Sequence, residues 1–249
     1  MPKKYIIANW KMNPQSVAEA EGILAYIDEH LNQDTHHAEQ SLVICPPFVF
    51  LEDISRMLKT SHLAQYAELG AQDIALADSG AWTGEVSGPM LRRLGVSHVI
   101  IGHSERRWKI GESDEVVNKK LKTALKNELT PIVCIGEKER DIEFKEFLKQ
   151  QIEATFAGLS DDERGKCLVA YEPVWAISST PGARPDKPEE TLEAVAVIKE
   201  ALGPDTLVLY GGSINAANAK DFLSLDQISG VLVGSASVKK EEFVQILKV

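Results

Sequence analysis

Three side chains in this sequence have the types and the settings for proton transfer. Glu172 closes the apolar run "KCLVAYEP" (166–173) and is followed at once by Pro173. His103 closes "SHVIIGHSE" (97–105), with Glu105 two residues further on. Lys11 follows the amide of Asn9 by two residues at the end of "KYIIANW". A carboxylate taken out of water has its pKa raised toward working pH, where it serves as a base of moderate strength. An imidazole and an ammonium beside it would stabilise the negative charge that builds up when a proton leaves carbon. Two further runs end in small residues: "TLVLYGGS" in Gly211-Gly212-Ser213 and "SGVLVGSAS" in Gly234-Ser235. Glycine lets backbone N–H groups approach an anion closely. Singly, each feature has a plain structural explanation: a solvated lysine, a hydrogen-bonded histidine, a glutamate paired with an arginine, a tight turn. Together they describe a site for a small phosphorylated molecule.

The elements that must position these residues alternate along the chain. The runs above, with "SLVICPP" and "TPIVCIGE", are short, rich in Val, Ile and Leu, and continuous, as strands buried on both faces of a parallel sheet are. A weaker strand falls near "AELGAQD". Between them lie stretches with helical period. Val17, Ala20, Ile23, Leu24, Ile27 and Leu31 share one face, as do Leu192, Val195, Ile198 and Leu202, and Phe144, Phe147, Leu148, Ile152 and Phe156. Strand and helix in alternation predict parallel βαβ units. Eight strands close a barrel, so the fold expected is α/β, a single (β/α)8 barrel over residues 1–249. Its active site would lie at the C-terminal ends of the strands. An open doubly wound sheet is the alternative. It usually carries a GxGxxG turn after its first strand, which is not found here. Ser104 is expected to cap the helix that follows His103.

The formal net charge of -10 argues against nucleic acid and acidic membranes as partners. Attraction for an anion must then be local, through Lys11 and oriented amides. Three cysteines, each in an apolar run, suit reduced thiols and a cytoplasmic protein. The apolar run at the N-terminus is too short for a signal peptide, and no stretch nears the ~20 apolar residues of a membrane span.

The motifs "ANWKMN" (8–13), "IGHSERR" (101–107), "AYEPVWAI" (170–177), "YGGSI" (210–214) and "GVLVGSAS" (230–237) resemble, in order, those of the triosephosphate isomerase family. The resemblance implies interconversion of dihydroxyacetone phosphate and D-glyceraldehyde 3-phosphate in glycolysis and gluconeogenesis, with no metal or cofactor, in a homodimer. Position by position it implies Glu172 as the base and His103 as the electrophile and proton shuttle. Lys11 becomes the cation beside the enediolate, Asn9 a donor to the substrate, and Glu105 a carboxylate behind Lys11. The phosphate would rest on amides of Ser178, Ser213, Gly234 and Ser235. "GAQDIALADSGAWTGEVS" (70–87) is similar to the family's interface loop, which implies Gln72, Trp82 and Thr83 at a dimer contact. A segment after "WAI" would close over Glu172. Here it reads Ser178-Ser179-Thr180-Pro181-Gly182, where the family commonly has a Gly-Thr-Gly-Lys-like stretch. Gly234-Ser235 stands for a Gly-Gly turn, and Asp73 where Asn is common. A barrel that only binds phosphorylated ligands, and an isomerase of another sugar phosphate, are the rival readings.

Overall fold

The computed structural model describes residues 3–31, 40–177 and 180–249. Eight parallel strands form a closed barrel in chain order. They are β1 (Lys4–Asn9), β2 (Gln40–Cys45), β3 (Ala67–Ala71), β4 (Val96–Ile101), β5 (Thr130–Ile135), β6 (Leu168–Tyr171), β7 (Leu207–Tyr210) and β8 (Gly230–Val233). The weak strand is real, and the register of β3 against β4 shifts between Leu69 and Gly70. Closure runs through β1 and β8, where Tyr5 pairs with Gly230 and Ala8 with Val233. Closing the sheet removes its edges.

The helices that cover the barrel are α1 (Val17–Leu31), α2 (Leu51–Thr60), α3 (Gly88–Leu94), α4 (Asp114–Lys126), α5 (Phe144–Thr155), the short α6 (Asp161–Arg164), α7 (Pro188–Leu202), α8 (Ala219–Leu223) and α9 (Lys240–Leu247). In α1 the expected face holds: Ala20, Ile23, Leu24, Ile27 and Leu31 are buried. In α5 it shifts. Phe147 is partly exposed, while Gln151 and Thr155 are buried beside Leu148 and Ile152. The polar pair is admitted because each has a partner. Gln151 Oε1 accepts the Gly136 N–H at 2.8 Å, and Thr155 Oγ1 accepts from Arg107 at 3.3 Å.

Strand side chains divide between two cores. Ile7, Val43, Ile100, Ile132, Ala170, Leu209 and Leu232 fill the barrel interior, with Cys45 and Cys134 among them. The alternate residues, such as Ile6, Ile44, Val133 and Val169, pack under the helices. This explains the continuous apolar runs, since both faces of each strand are dry. Cys45, Cys134 and Cys167 are buried and unpaired by disulfides. Among the described residues no helix is long and apolar enough to cross a membrane.

Candidate active site

One end of the barrel opens into a cavity of about 440 Å³. Asn9, Lys11, His103, Glu105, Glu172, Ser213, Gly234 and Ser235 all line it, together with Ile177, Gly211 and Gly212. Of the residues predicted for this pocket, Ser178 lies outside the described residues.

Several of these side chains arrive by a route other than strand alternation. β1 ends at Asn9, Trp10 is buried, and Lys11 has a left-handed backbone with φ 56°. A non-glycine residue in that region stores strain of ~1–3 kcal/mol that its surroundings must hold. They do so from both sides. The Lys11 N–H donates to Asn9 Oδ1 at 3.0 Å, and Gln72 Nε2 donates to the Lys11 carbonyl at 2.9 Å. Gln72 also donates to the Cys45 carbonyl at 2.9 Å, which ties this turn to β2. With its oxygen engaged by Lys11, the Asn9 amide keeps its Nδ2 hydrogens for the cavity. The Lys11 ammonium pairs with Glu105 Oε1 at 3.1 Å. A Cβ on Gly234 would come within 3.4 Å of Lys11 Nζ, so the glycine turn after β8 lies directly beside the cation.

β4 ends at Ile101, and His103 sits two residues beyond it. Its Nδ1 accepts the Glu105 N–H at 3.2 Å, and its carbonyl accepts the N–H groups of Arg106 and Arg107 at 2.8 and 3.0 Å. The ring therefore faces the opening N–H groups of the helical turn 104–110. With Nδ1 accepting the Glu105 N–H, the ring presents Nε2 as its donor. That nitrogen stands 3.0 Å from Glu172 Oε1. Ser104 is not the helix cap expected of it. Its N–H donates to Glu172 Oε2 at 2.7 Å and its hydroxyl to Oε1 at 3.3 Å, because the His103 carbonyl already opens the turn.

Glu172 follows β6 directly. Its N–H donates to the Ile135 carbonyl at 2.8 Å and its side chain is buried. A Cβ on Gly211 would stand 2.9 Å from Glu172 Cγ and 3.0 Å from the Tyr171 carbonyl, so only glycine permits this packing. Burial pushes the carboxyl up. The imidazole of His103, the Ser104 N–H and the Lys11 ammonium outweigh it, and the group rests below the ordinary carboxylate value. Burial alone would have raised it, as expected from the apolar run; the donors and the cation reverse the sign.

Next along the chain from Glu172, Trp175 joins a polar hub centred on Glu137. Glu137 Oε1 accepts from Tyr171 Oη at 2.8 Å and from Trp175 Nε1 at 2.9 Å, with Arg140 at 3.2 Å. The Arg184 guanidinium lies 4.1 Å over the Trp175 ring and pairs with Glu190 at 2.8 Å. Ser213 Oγ donates to the Ala176 carbonyl at 2.9 Å, and Ser237 Oγ to the carbonyls of Gly234 and Asn9 at 2.7 and 3.3 Å. These bonds fix the loop after β7 to the loop after β6, and the loop after β8 to the end of β1. The residues 180–186 do not line the cavity.

Trp82 and Thr83 are exposed on the loop after β3, away from the cavity. Gln72 turns its amide inward, as described. Among the described residues no group of three or more His, Cys, Asp or Glu is placed to hold a metal ion.

A closed parallel barrel with a carboxylate, an imidazole, an amide and an ammonium at the strands' C-terminal ends has the build of a proton-transferring barrel enzyme. The model of the family "Triosephosphate isomerase" matches residues 4–249. The chain is 39% identical over 253 residues to the triosephosphate isomerase of Aquifex aeolicus, covering 98% of each. It is 38% identical to that of Dictyoglomus turgidum, over the whole of both chains. It is 40% identical to that of Acetivibrio thermocellus, over all of this chain and 99% of the relative. The chain belongs to the triosephosphate isomerase family, and it is an aldose–ketose isomerase.

Proposed function

We propose the following division of labour for this chain's reaction, the interconversion of dihydroxyacetone phosphate and D-glyceraldehyde 3-phosphate by proton transfer through an enediolate. Glu172 takes the proton from the carbon beside the carbonyl. His103 donates its Nε2 proton to the carbonyl oxygen and, being neutral, can move a proton from one oxygen to the other. Lys11 and the Asn9 amide face the negative charge that grows on oxygen, where water exclusion strengthens their pull. Glu105 holds the Lys11 ammonium in place. Backbone amides of Ser213, Gly234 and Ser235, with Ser178, receive the phosphate.

The observation that carries this reading is the contact of His103 Nε2 with Glu172 Oε1 at 3.0 Å while Nδ1 is held by the Glu105 N–H. A carboxylate 3.0 Å from an imidazole whose Nδ1 accepts an N–H supports reading the first as base and the second as electrophile. A barrel that merely bound phosphorylated ligands would have no need of that pairing.

Residues 1–249 are read as one barrel domain. We also assign the chain to a homodimer through the 70–87 loop, with Gln72, Trp82 and Thr83 at the contact. Support comes from the half-exposed Trp82 and Met90 on and beside that loop, since a large apolar side chain favours an interface over water. Buried, reduced thiols support the cytoplasm as location.

The test is Glu172→Gln. A coupled assay with D-glyceraldehyde 3-phosphate should show kcat falling by at least ~10³, the upper part of the general-base range, with phosphate binding kept. A variant within tenfold of the unaltered enzyme would remove Glu172 from the role.

A further inference from the structure

The cavity wall continues past Ser213 and Gly234 to Lys239 and Glu242. Neither was singled out in the sequence, where Lys11 is the cation of the pocket. Lys239 is the residue between the tight turn 235–238 and α9. Its N–H donates to the Ala236 carbonyl at 3.2 Å and its carbonyl accepts from Phe243 at 2.8 Å. The backbone is thus fixed while the side chain is 65% exposed. The neighbouring Lys240 is directed elsewhere, over the Tyr26 ring at 4.9 Å. Lys239 Nζ pairs with Glu242 Oε2 at 3.2 Å.

The charges around the cavity make this pair matter. Two ammonium groups, Lys11 and Lys239, face three carboxylates, Glu105, Glu172 and Glu242. The whole chain carries -10. A phosphate monoester brings close to two negative charges at neutral pH. Such a dianion is repelled by the surface and by the base it must reach. Lys11 lies within, tied to Glu105. Lys239 lines the same cavity and directly follows the turn that begins at Ser235. Its pair with Glu242 is open to water on the lysine side, and ion pairs open to water are weak enough to exchange readily.

We propose that Lys239 is a second phosphate-side cation: it waits on Glu242 and leaves that carboxylate for the substrate's phosphate as the dianion enters. The proposal rests on the placement of the phosphate at Ser213, Gly234 and Ser235. Acting on entry and on binding common to substrate and transition state, Lys239 governs kcat/KM and leaves kcat alone. Glu242 works against it by competing for the same ammonium.

The experiment compares Lys239→Met, Lys239→Arg and Glu242→Gln with the unaltered enzyme across ionic strength, with inorganic phosphate as a competing probe. Lys239→Met should lower kcat/KM about tenfold at low salt, near the lower bound of electrostatic steering, with a flatter salt dependence and kcat within about twofold. Lys239→Arg should restore most of the loss. Glu242→Gln should move kcat/KM the opposite way, upward, which a merely structural pair would not do. Inorganic phosphate should compete in the unaltered enzyme and compete less well in Lys239→Met. Failure to compete in the unaltered enzyme would overturn the phosphate placement and this proposal with it. Equal competition in both proteins, or a fall in kcat/KM for both Lys239→Met and Glu242→Gln, would leave that placement standing and overturn the role of Lys239.

Discussion

The Ser104 N–H donates to Glu172 Oε2 at 2.7 Å, and the Ser104 hydroxyl reaches Oε1 at 3.3 Å. Glu172 therefore rests on donors of the loop after β4. Donors favour the charged carboxylate, and with His103 and Lys11 they hold Glu172 below its ordinary value of 4.5 against the push of burial.

A titration should show this directly. In carbon-13 spectra of the unliganded enzyme, the Glu172 carboxyl, assigned by its loss in Glu172→Gln, should titrate below 4.5. Because the folded value lies under the unfolded one, the stability supplied by ionised Glu172 is fully present above the unfolded value. It is lost as pH falls through the folded value. A midpoint above 4.5 would mean that burial wins and that the Ser104 contacts are incidental.

A second electrostatic cluster lies away from the cavity. Lys120 Nζ reaches both Asp73 oxygens at 2.7 Å and also contacts Glu112, while Arg106 pairs with Asp73 at 2.8 Å and with Glu112 at 2.7 Å. Two cations and two carboxylates balance, with Lys120, Asp73 and Glu112 buried or nearly so. Asp73, unusual against the resemblance, has its matching charge here. Lys120→Met would leave two carboxylates facing one cation, and a broken buried pair costs ~3–5 kcal/mol. Denaturant unfolding should show a loss of that size, and a smaller one for Asp73→Asn, which keeps both cations beside Glu112. A loss under about 1 kcal/mol for Lys120→Met would place the cluster among solvated ion pairs.

The parts of this site legible in the sequence are those whose signal is local. Glu172, His103, Asn9 and the two glycine turns each follow a recognisable apolar run, and the topology brings such ends together. Lys11 was legible as a residue but not as a conformation: its left-handed backbone depends on Gln72, sixty-one positions away. Ser104 read as a helix cap because a serine before a helix usually is one. Its real partner, Glu172, is sixty-eight positions further along and invisible to local pattern. The hub at Glu137 and the cation Lys239 were missed for the same reason, since glutamate in a polar loop and lysine before a helix are ordinary. In α5, helical period placed Phe147 inside and could not anticipate that Gln151 and Thr155 have buried partners.

The loop after β3 gives a test of assembly. Trp82 is 49% exposed, and Thr83 and Gly84 beside it are open to solvent. Replacing residues 79–85 with a short polar turn should yield a folded but weakly active monomer in sedimentation. A dimer after that replacement would put the interface elsewhere.

The described part of the segment after "WAI" is a formed turn. The Ala183 N–H donates to the Thr180 carbonyl at 3.1 Å, Pro181 takes the first corner, and Gly182 takes the second with φ 76°. Proline followed by a left-handed glycine is the pattern of a type II turn. A Cβ on Gly182 would meet nothing within 4 Å, so any effect of substitution comes from backbone conformation alone. Gly182→Val forces a β-branched residue into that region, at ~1–2 kcal/mol, and should open the turn. The turn stands outside the barrel core, so the melting temperature should hardly move. If this segment closes over the substrate, a misshapen turn should lower kcat and let more of the enediolate expel inorganic phosphate, its remaining carbons going on to methylglyoxal, because a site open to water holds the intermediate poorly. Both products should therefore be counted for each turnover. An unchanged ratio of methylglyoxal to isomer, with the turn shown to be lost by its amide exchange, would mean that this segment does not guard the intermediate.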